Sequence, residues 1–122
     1  MTDMQNFHAH IYYDASTYDQ AAVLCDEAGQ RFHISVGHKH KQPVGPHPCW
    51  SCQLTISPEI FGDVVPWLVL NRHGLTIFIH ANTGNDLKDH TEHTLWMGKM
   101  EPLNLDIFDQ QQQERFRQLD QQ

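Results

Sequence analysis

Apolar and polar residues alternate along four short stretches of the chain, and this alternation predicts four β-strands. Each stretch is rich in β-branched or aromatic residues, as strands usually are, and they cover residues 7–13, 31–36, 50–56 and 75–80. Successive side chains of a strand point to opposite faces of a sheet. In the first strand, His8, His10 and Tyr12 therefore share one face, and the apolar Phe7 and Ile11 share the other.

Two segments between these strands have the apolar spacing of amphipathic helices. The first is capped at Ser16 or Thr17 and should end at Gly29, a residue typical of helix C-termini. The second covers residues 58–71, begins with a proline in its first turn and contains Pro66, where it can kink or split.

The order strand, helix, strand, strand, helix, strand is that of the ferredoxin-like βαββαβ fold. We therefore predict an α+β domain over residues 1–108, with a four-stranded antiparallel sheet and both helices on one face. A short helix is expected within residues 86–94, and residues 109–122 form a polar, Gln-rich tail. The sheet face without helices needs a cover, and a homodimer is the expected one.

Composition excludes several classes of function. A net charge of −7 argues against nucleic-acid or anionic-membrane partners. The chain has no apolar run long enough for a transmembrane helix and no signal-peptide pattern, so we expect a cytoplasmic protein. The cysteines Cys25, Cys49 and Cys52 form no even disulfide framework. The CxxC motif at residues 49–52 leads into a predicted strand rather than from a strand into a helix, which favours plain thiols over a redox pair.

Ten of the 122 residues are histidines, and the predicted fold brings four of them together. In the strand order 4-1-3-2, we take strand 1 to be antiparallel to strand 4 and parallel to strand 3. His8 and His10 then lie at the start of strand 1, His80 at the end of strand 4, and His47 in the loop entering strand 3. Imidazoles are common ligands of iron, zinc, copper and nickel, and two on one strand face can reach one ion. The pattern predicts a metal site; the alternative is a set of surface histidines on an open sheet.

The other histidines have different expected places. His90 and His93 follow a turn that starts near the site, where a histidine can support a metal ligand, bind the substrate, act as a general base or simply be solvated. Exposed or structural positions are expected for His33, His38, His40 and His73. One nearby carboxylate could complete a two-histidine, one-carboxylate triad. The sequence does not choose among Asp14, Asp86, Asp89 and Glu92.

Several separated motifs resemble those of the DOPA 4,5-dioxygenase family of small extradiol ring-cleaving enzymes. They are FHAHIYYD at 7–14, VGPHP at 44–48, WLVLNRHGLTIFIH at 67–80, TGNDLKDHT at 83–91 and LWMG at 95–98. The resemblance implies a ferredoxin-like domain, a non-haem Fe(II), and cleavage of a catechol such as DOPA by O2. Ala81 departs from the pattern, since proline is expected there in many relatives.

Carried over to this chain, the family's histidine positions fall on His8, His10, His47, His80 and His90. We expect His10, His47 and His80 to bind Fe(II), or another divalent metal in its place. His8 or His90 is then the expected acid/base residue.

Tyr12 and Trp50 are expected to line a pocket for the substrate ring. Two alternatives remain at this point. A non-catalytic, histidine-rich metal-binding module would have a coordinatively closed site. A dimeric α/β-barrel monooxygenase would share the layout but would not need converging histidines.

Overall fold

A computed structural model of the chain describes residues 5–108, which form one sheet, two long helices and connecting segments. The strands are β1 (Asn6–Tyr13), β2 (Ser35–Val36), β3 (Trp50–Ile56), β4 (Ile77–Asn82) and β5 (Thr94–Met97). The helices are α1 (Tyr18–Phe32), α2 (Phe61–Asn71) and the short α3 (Asp86–Asp89), with 3₁₀ turns at Pro58–Ile60 and Leu105–Ile107. The predicted Gln-rich tail, residues 109–122, lies outside the described residues. No helix within residues 5–108 is long and apolar enough to cross a membrane.

The sheet has five strands in the order β2-β3-β1-β4-β5 and is antiparallel throughout. The predicted order 4-1-3-2 is found among the first four strands. The predicted parallel pairing of strands 1 and 3 is wrong, because Trp50 at the start of β3 pairs with Tyr13 at the end of β1. The predicted number of strands is also wrong. Residues 94–97 form a fifth strand, too short to show an alternation of its own.

α1 extends further than predicted, and β2 is correspondingly short. Gly29 does not end the helix, which continues to a left-handed cap at His33 (φ 53°). Gly29 is needed for a different reason, since a Cβ added there would lie 2.6 Å from Cγ2 of Val36. The helix thus packs closely on β2, which keeps only the last two residues of the predicted strand 31–36.

The helix predicted over residues 58–71 begins as a 3₁₀ turn at Pro58–Ile60 and continues as α2, which contains Pro66 without being split. Val64 and Leu68 on its inner face are fully buried. Val69, in contrast, is 53% exposed. It lies five residues beyond Val64, about 140° around the helix, and so falls outside the buried stripe.

The hydrophobic core lies between the sheet and the helices α1 and α2. The opposite face of the sheet, which carries His8, His10 and Tyr12, is called the site face below. Part of the chain itself covers it, because the loop after β2 folds over this face. The N–H of Asn104 donates a hydrogen bond to the carbonyl of Pro46 in that loop (2.8 Å). This cover removes the reason for which a homodimer was expected, and the dimer stays a prediction.

Candidate metal centre

Three histidines from two neighbouring strands meet on the site face. His8 and His80 are direct partners in the β1–β4 ladder, and His10 lies two residues further along β1. One possible ligand nitrogen from each lies within 4.8 Å of the others. The Nε2 atoms of His10 and His80 are 3.1 Å apart. Two nitrogens that each bind one ion at about 2.1 Å stand about 3.0–3.4 Å apart, so this pair already has the spacing of metal ligands.

Hydrogen bonds to backbone carbonyls determine which ring nitrogen faces the centre. Nδ1 of His80 donates to the carbonyl of Ala81 (3.0 Å), which leaves Nε2 with its lone pair towards His10. Nδ1 of His90 donates in the same way to the carbonyl of Asp86 (2.6 Å). Such bonds fix the tautomer and the ring orientation of histidines that bind metals or accept protons.

Two further histidines border this group. His90 follows α3, and its ring centroid lies 4.2 Å from that of His80. His47 comes from the loop after β2, and its ring centroid lies 4.0 Å from that of His10. Nδ1 of His47 and the hydroxyl of Tyr12 share a hydrogen bond of 2.8 Å. The five histidine positions suggested by the sequence therefore lie side by side, although His47 and His90 are outside the group within 4.8 Å.

His47 reaches the site by a route that the sequence reasoning placed wrongly. It was expected beside His8 because strand 3 was taken to be parallel to strand 1. The antiparallel β3 instead begins at the far end of β1, and the loop before it folds back over the site face. Within this loop the N–H of His47 donates to the carbonyl of Val44 (3.1 Å), and Pro46 and Pro48 restrict the backbone on either side.

Burial favours the neutral form of these imidazoles. It is the main cause that lowers the pKa of His47 and of His80 to about 4, and nearby His90 lowers both further. The pKa of His10 is held well below its usual value by burial and then by His47 and His80. Burial and His90 also lower the pKa of His8. A neutral imidazole is the form that binds a metal ion or accepts a proton.

Aromatic side chains form the rest of the site face. Phe78 is fully buried and stacks on Trp96, with ring centroids 4.5 Å apart. Tyr12 meets Trp96 edge-on at 6.0 Å. Trp50 lies on the helix face of the sheet instead, edge-on to Tyr13 at 6.4 Å, so its position does not support the predicted substrate role. Trp96 was missed because β5 was not recognised.

The carboxylates considered from the sequence do not join the histidine group. Among residues 5–108, the group that meets within 4.8 Å consists of histidines only. Asp14 is exposed beyond the far end of β1, where it accepts hydrogen bonds from Ser16. Glu92 lies 3.7 Å from Lys88. Asp89 is buried and has its own partners in the turn before β5.

The histidine group meets solvent at His8 and His90, which are half-buried. His10, His47 and His80 are each at most 7% exposed. A substrate would therefore reach the group from the side of His8 and His90. A separate cavity of about 390 Å³ borders His80 but is lined mostly by residues on the helix face of the sheet.

Comparison with known proteins shows the family of this chain. A model of the Dopa 4,5-dioxygenase family matches residues 7–107, almost the whole described chain. The chain belongs to this family. Membership supports an oxygenase enzyme.

Two curated relatives match over most of this chain. An uncharacterised 21.2 kDa protein of Botryotinia fuckeliana is 31% identical over 121 residues, covering 89% of this chain and 66% of its own length. DOPA 4,5-dioxygenase of Amanita muscaria is 30% identical over 113 residues, covering 85% of this chain and 50% of its own length. The chain thus spans between half and two thirds of these relatives.

A solved structure resembles the chain as a whole. It is a crystal structure of a candidate dioxygenase from Nostoc punctiforme, with a TM-score of 0.83 and 39% identity. The match covers 96% of this chain and 95% of that one. The α+β fold with its antiparallel sheet is therefore shared with a dioxygenase candidate.

Proposed function

We propose that the protein is an extradiol ring-cleaving dioxygenase that uses Fe(II) and O2 to open a catechol such as DOPA. One observation carries the proposal: three histidine nitrogens meet within 4.8 Å on the site face of a Dopa 4,5-dioxygenase family member. The matched relative from Amanita muscaria is a DOPA 4,5-dioxygenase, and half of its length is matched. DOPA is thus one candidate among catechols.

The proposed metal ligands are His8, His10 and His80. This set differs from the sequence-based one, in which His47 stood in place of His8. Two observations support the exchange: His8 is in the group within 4.8 Å, and Nδ1 of His47 is engaged by the hydroxyl of Tyr12. The set holds no anionic ligand, and neutral imidazoles also bind zinc, copper and nickel, so another divalent ion can compete with iron.

When bound, a ferrous ion with open positions supplies the redox and Lewis-acid chemistry that lets O2 react with a catechol. The chain's own residues supply proton transfer. A neutral imidazole beside the metal can accept the proton of a catechol hydroxyl and return it later. His90 lies at the solvent side of the group with Nδ1 bonded to the carbonyl of Asp86, so Nε2 is its proton-accepting atom. His47 is the second candidate, and Tyr12 can exchange a proton with its Nδ1.

The aromatic part of the site face suits an aromatic substrate. Trp96 stacks on the fully buried Phe78 and is itself only half-buried, so a catechol ring could make offset-stacked contacts with its accessible part. Such contacts hold the ring by its faces and leave the two hydroxyls free to turn towards the histidines.

The proposal is tested by loading the protein with Fe(II) without air, adding catechols including DOPA, and then admitting air. We expect a yellow ring-fission product and O2 uptake. The variant His80→Ala should lose both the metal and the turnover, whereas His38→Ala, at an exposed loop position, should keep both. Tight Fe(II) binding without O2 uptake across the catechol panel would refute the proposal in favour of a metal-binding module.

A further inference from the structure

Asp89 has a carboxylate that is almost wholly buried, at 1% exposure, in the turn that connects β4 to β5. Burying a carboxylate is costly unless hydrogen bonds compensate for the lost water. Three donors do so here. The N–H of Thr83 donates to Oδ2 (2.7 Å), the hydroxyl of Thr83 donates to Oδ1 (2.7 Å), and Nδ1 of His93 also donates to Oδ1 (2.7 Å).

These donors lie at the two ends of the connection. Thr83 directly follows the last residue of β4, and His93 directly precedes the first residue of β5. A backbone hydrogen bond also joins the two ends of this connection, because the N–H of Ala81 donates to the carbonyl of His93 (3.0 Å). The carboxylate of Asp89 therefore joins both ends of the turn and determines its shape.

The next residue, His90, extends from this connection towards the candidate metal centre. Its ring centroid lies 4.2 Å from that of His80 and 4.9 Å from that of Phe108. The carbonyl that orients the His90 ring belongs to Asp86, at the start of the same short helix that Asp89 ends. A shift of Asp89 would therefore move both the backbone of residue 90 and the group that holds its imidazole.

We propose that Asp89 is a positioning residue, whose hydrogen bonds to Thr83 and His93 hold the imidazole of His90 in place beside His80. Its importance for turnover rests on the proposed function, in which His90 moves a proton at the substrate. The competing explanation is that Asp89 only stabilises the turn. In that case its loss would lower stability without acting through His90.

The variant Asp89→Asn keeps the size of the side chain and replaces one accepting oxygen with a donor. We expect kcat for catechol cleavage to fall about tenfold, a typical effect for a residue that supports a site residue, with Fe(II) content unchanged. Glu92→Gln is the matched control, because it removes the same charge from the same connection between β4 and β5 at an exposed position. It should leave kcat unchanged. Thr83→Val loses only the hydroxyl donor and should lower kcat less than Asp89→Asn does. This milder variant keeps the test informative if Asp89→Asn fails to fold.

Combining Asp89→Asn with His90→Gln separates positioning from stability. If Asp89 acts through His90, the double variant should be no slower than His90→Gln alone. Losses in kcat that multiply, or a wild-type kcat in Asp89→Asn, would overturn the proposal. If the wild-type protein turns over no catechol, the proposed function fails, and NMR of the histidine rings decides this inference separately. The His90 ring signals should then change in Asp89→Asn but not in Glu92→Gln, and unchanged signals in Asp89→Asn would contradict it.

Discussion

The buried imidazoles make the stability of the metal-free protein depend on pH. His47 and His80 have pKa values of about 4 in the folded protein, against about 6.5 in an unfolded chain. Above pH 6.5 neither state takes up a proton at these rings. Below it, the unfolded chain binds protons that the folded protein excludes, so the free energy of unfolding falls until about pH 4.

From pH 7 to pH 5 we expect a loss of about 2 kcal/mol for each of these histidines, measured by urea unfolding of the metal-free protein. His47→Gln should remove part of this dependence, whereas His38→Gln, at an exposed loop position, should not. Equal stability of the wild-type protein at the two pH values would contradict the burial of neutral rings.

The choice of the third metal ligand makes a second prediction at the scale of residues. His8→Ala should lose stoichiometric Fe(II), because it removes one of three nitrogens within 4.8 Å. His47→Ala should keep the metal, since His47 lies outside the group within 4.8 Å and its Nδ1 is bonded to Tyr12. Metal analysis after Fe(II) loading and desalting measures the difference. The reverse result, metal lost in His47→Ala and kept in His8→Ala, would restore the ligand set expected from the sequence.

At the scale of elements, the close approach of α1 to β2 can be tested at Gly29. Alanine normally stabilises a helix interior by up to about 1 kcal/mol relative to glycine. At Gly29 its Cβ would lie 2.6 Å from Cγ2 of Val36, so Gly29→Ala should destabilise by about 1–3 kcal/mol. Gly62→Ala in α2 is the matched control, because no atom lies within 4 Å of its added Cβ.

The free energy of unfolding measured with urea should therefore fall in Gly29→Ala and rise in Gly62→Ala. The double variant Gly29→Ala with Val36→Ala should recover part of the lost stability. A stabilised Gly29→Ala would show that α1 does not pack on β2 in this way.

Local sequence patterns predicted the features that depend on neighbouring residues, such as the face of a strand. They failed for features that depend on contacts between distant parts of the chain. Strand alternation placed His8, His10 and Tyr12 on one face, because that face follows from the pleat alone. It could not place His47, since the path of a proline-containing loop over a sheet leaves no periodic signal.

The remaining errors have the same origin. β5 has only four residues, and of these only Met97 belongs to the core cluster. An alternating pattern cannot be recognised over so short a stretch. Its tryptophan, Trp96, was therefore not assigned to the site face. Gly29 reads as a helix end by propensity, but its role is a tertiary contact that the sequence does not display.

For the whole molecule, the chain's own cover of the site face changes the expectation about assembly. The loop after β2 and the segment around Asn104 shield this face, which was expected to need a second subunit. Large apolar side chains are exposed on the two long helices (Val23 57%, Val69 53%, Leu70 79%) and also on β5 and the residues after it (Leu95 44%, Met100 68%, Ile107 50%). The predicted homodimer therefore has no need to involve the site face, and sedimentation with and without Fe(II) would report the oligomeric state.

We propose above all that this chain inserts both atoms of O2 into one catechol. Mass spectrometry of the product formed under ¹⁸O2 by the Fe(II)-loaded protein tests it most directly. Both labelled oxygens are expected in a single ring-opened product, before exchange of its aldehyde oxygen with water. A product that carries one labelled oxygen on an intact ring would instead show a monooxygenase and contradict the account.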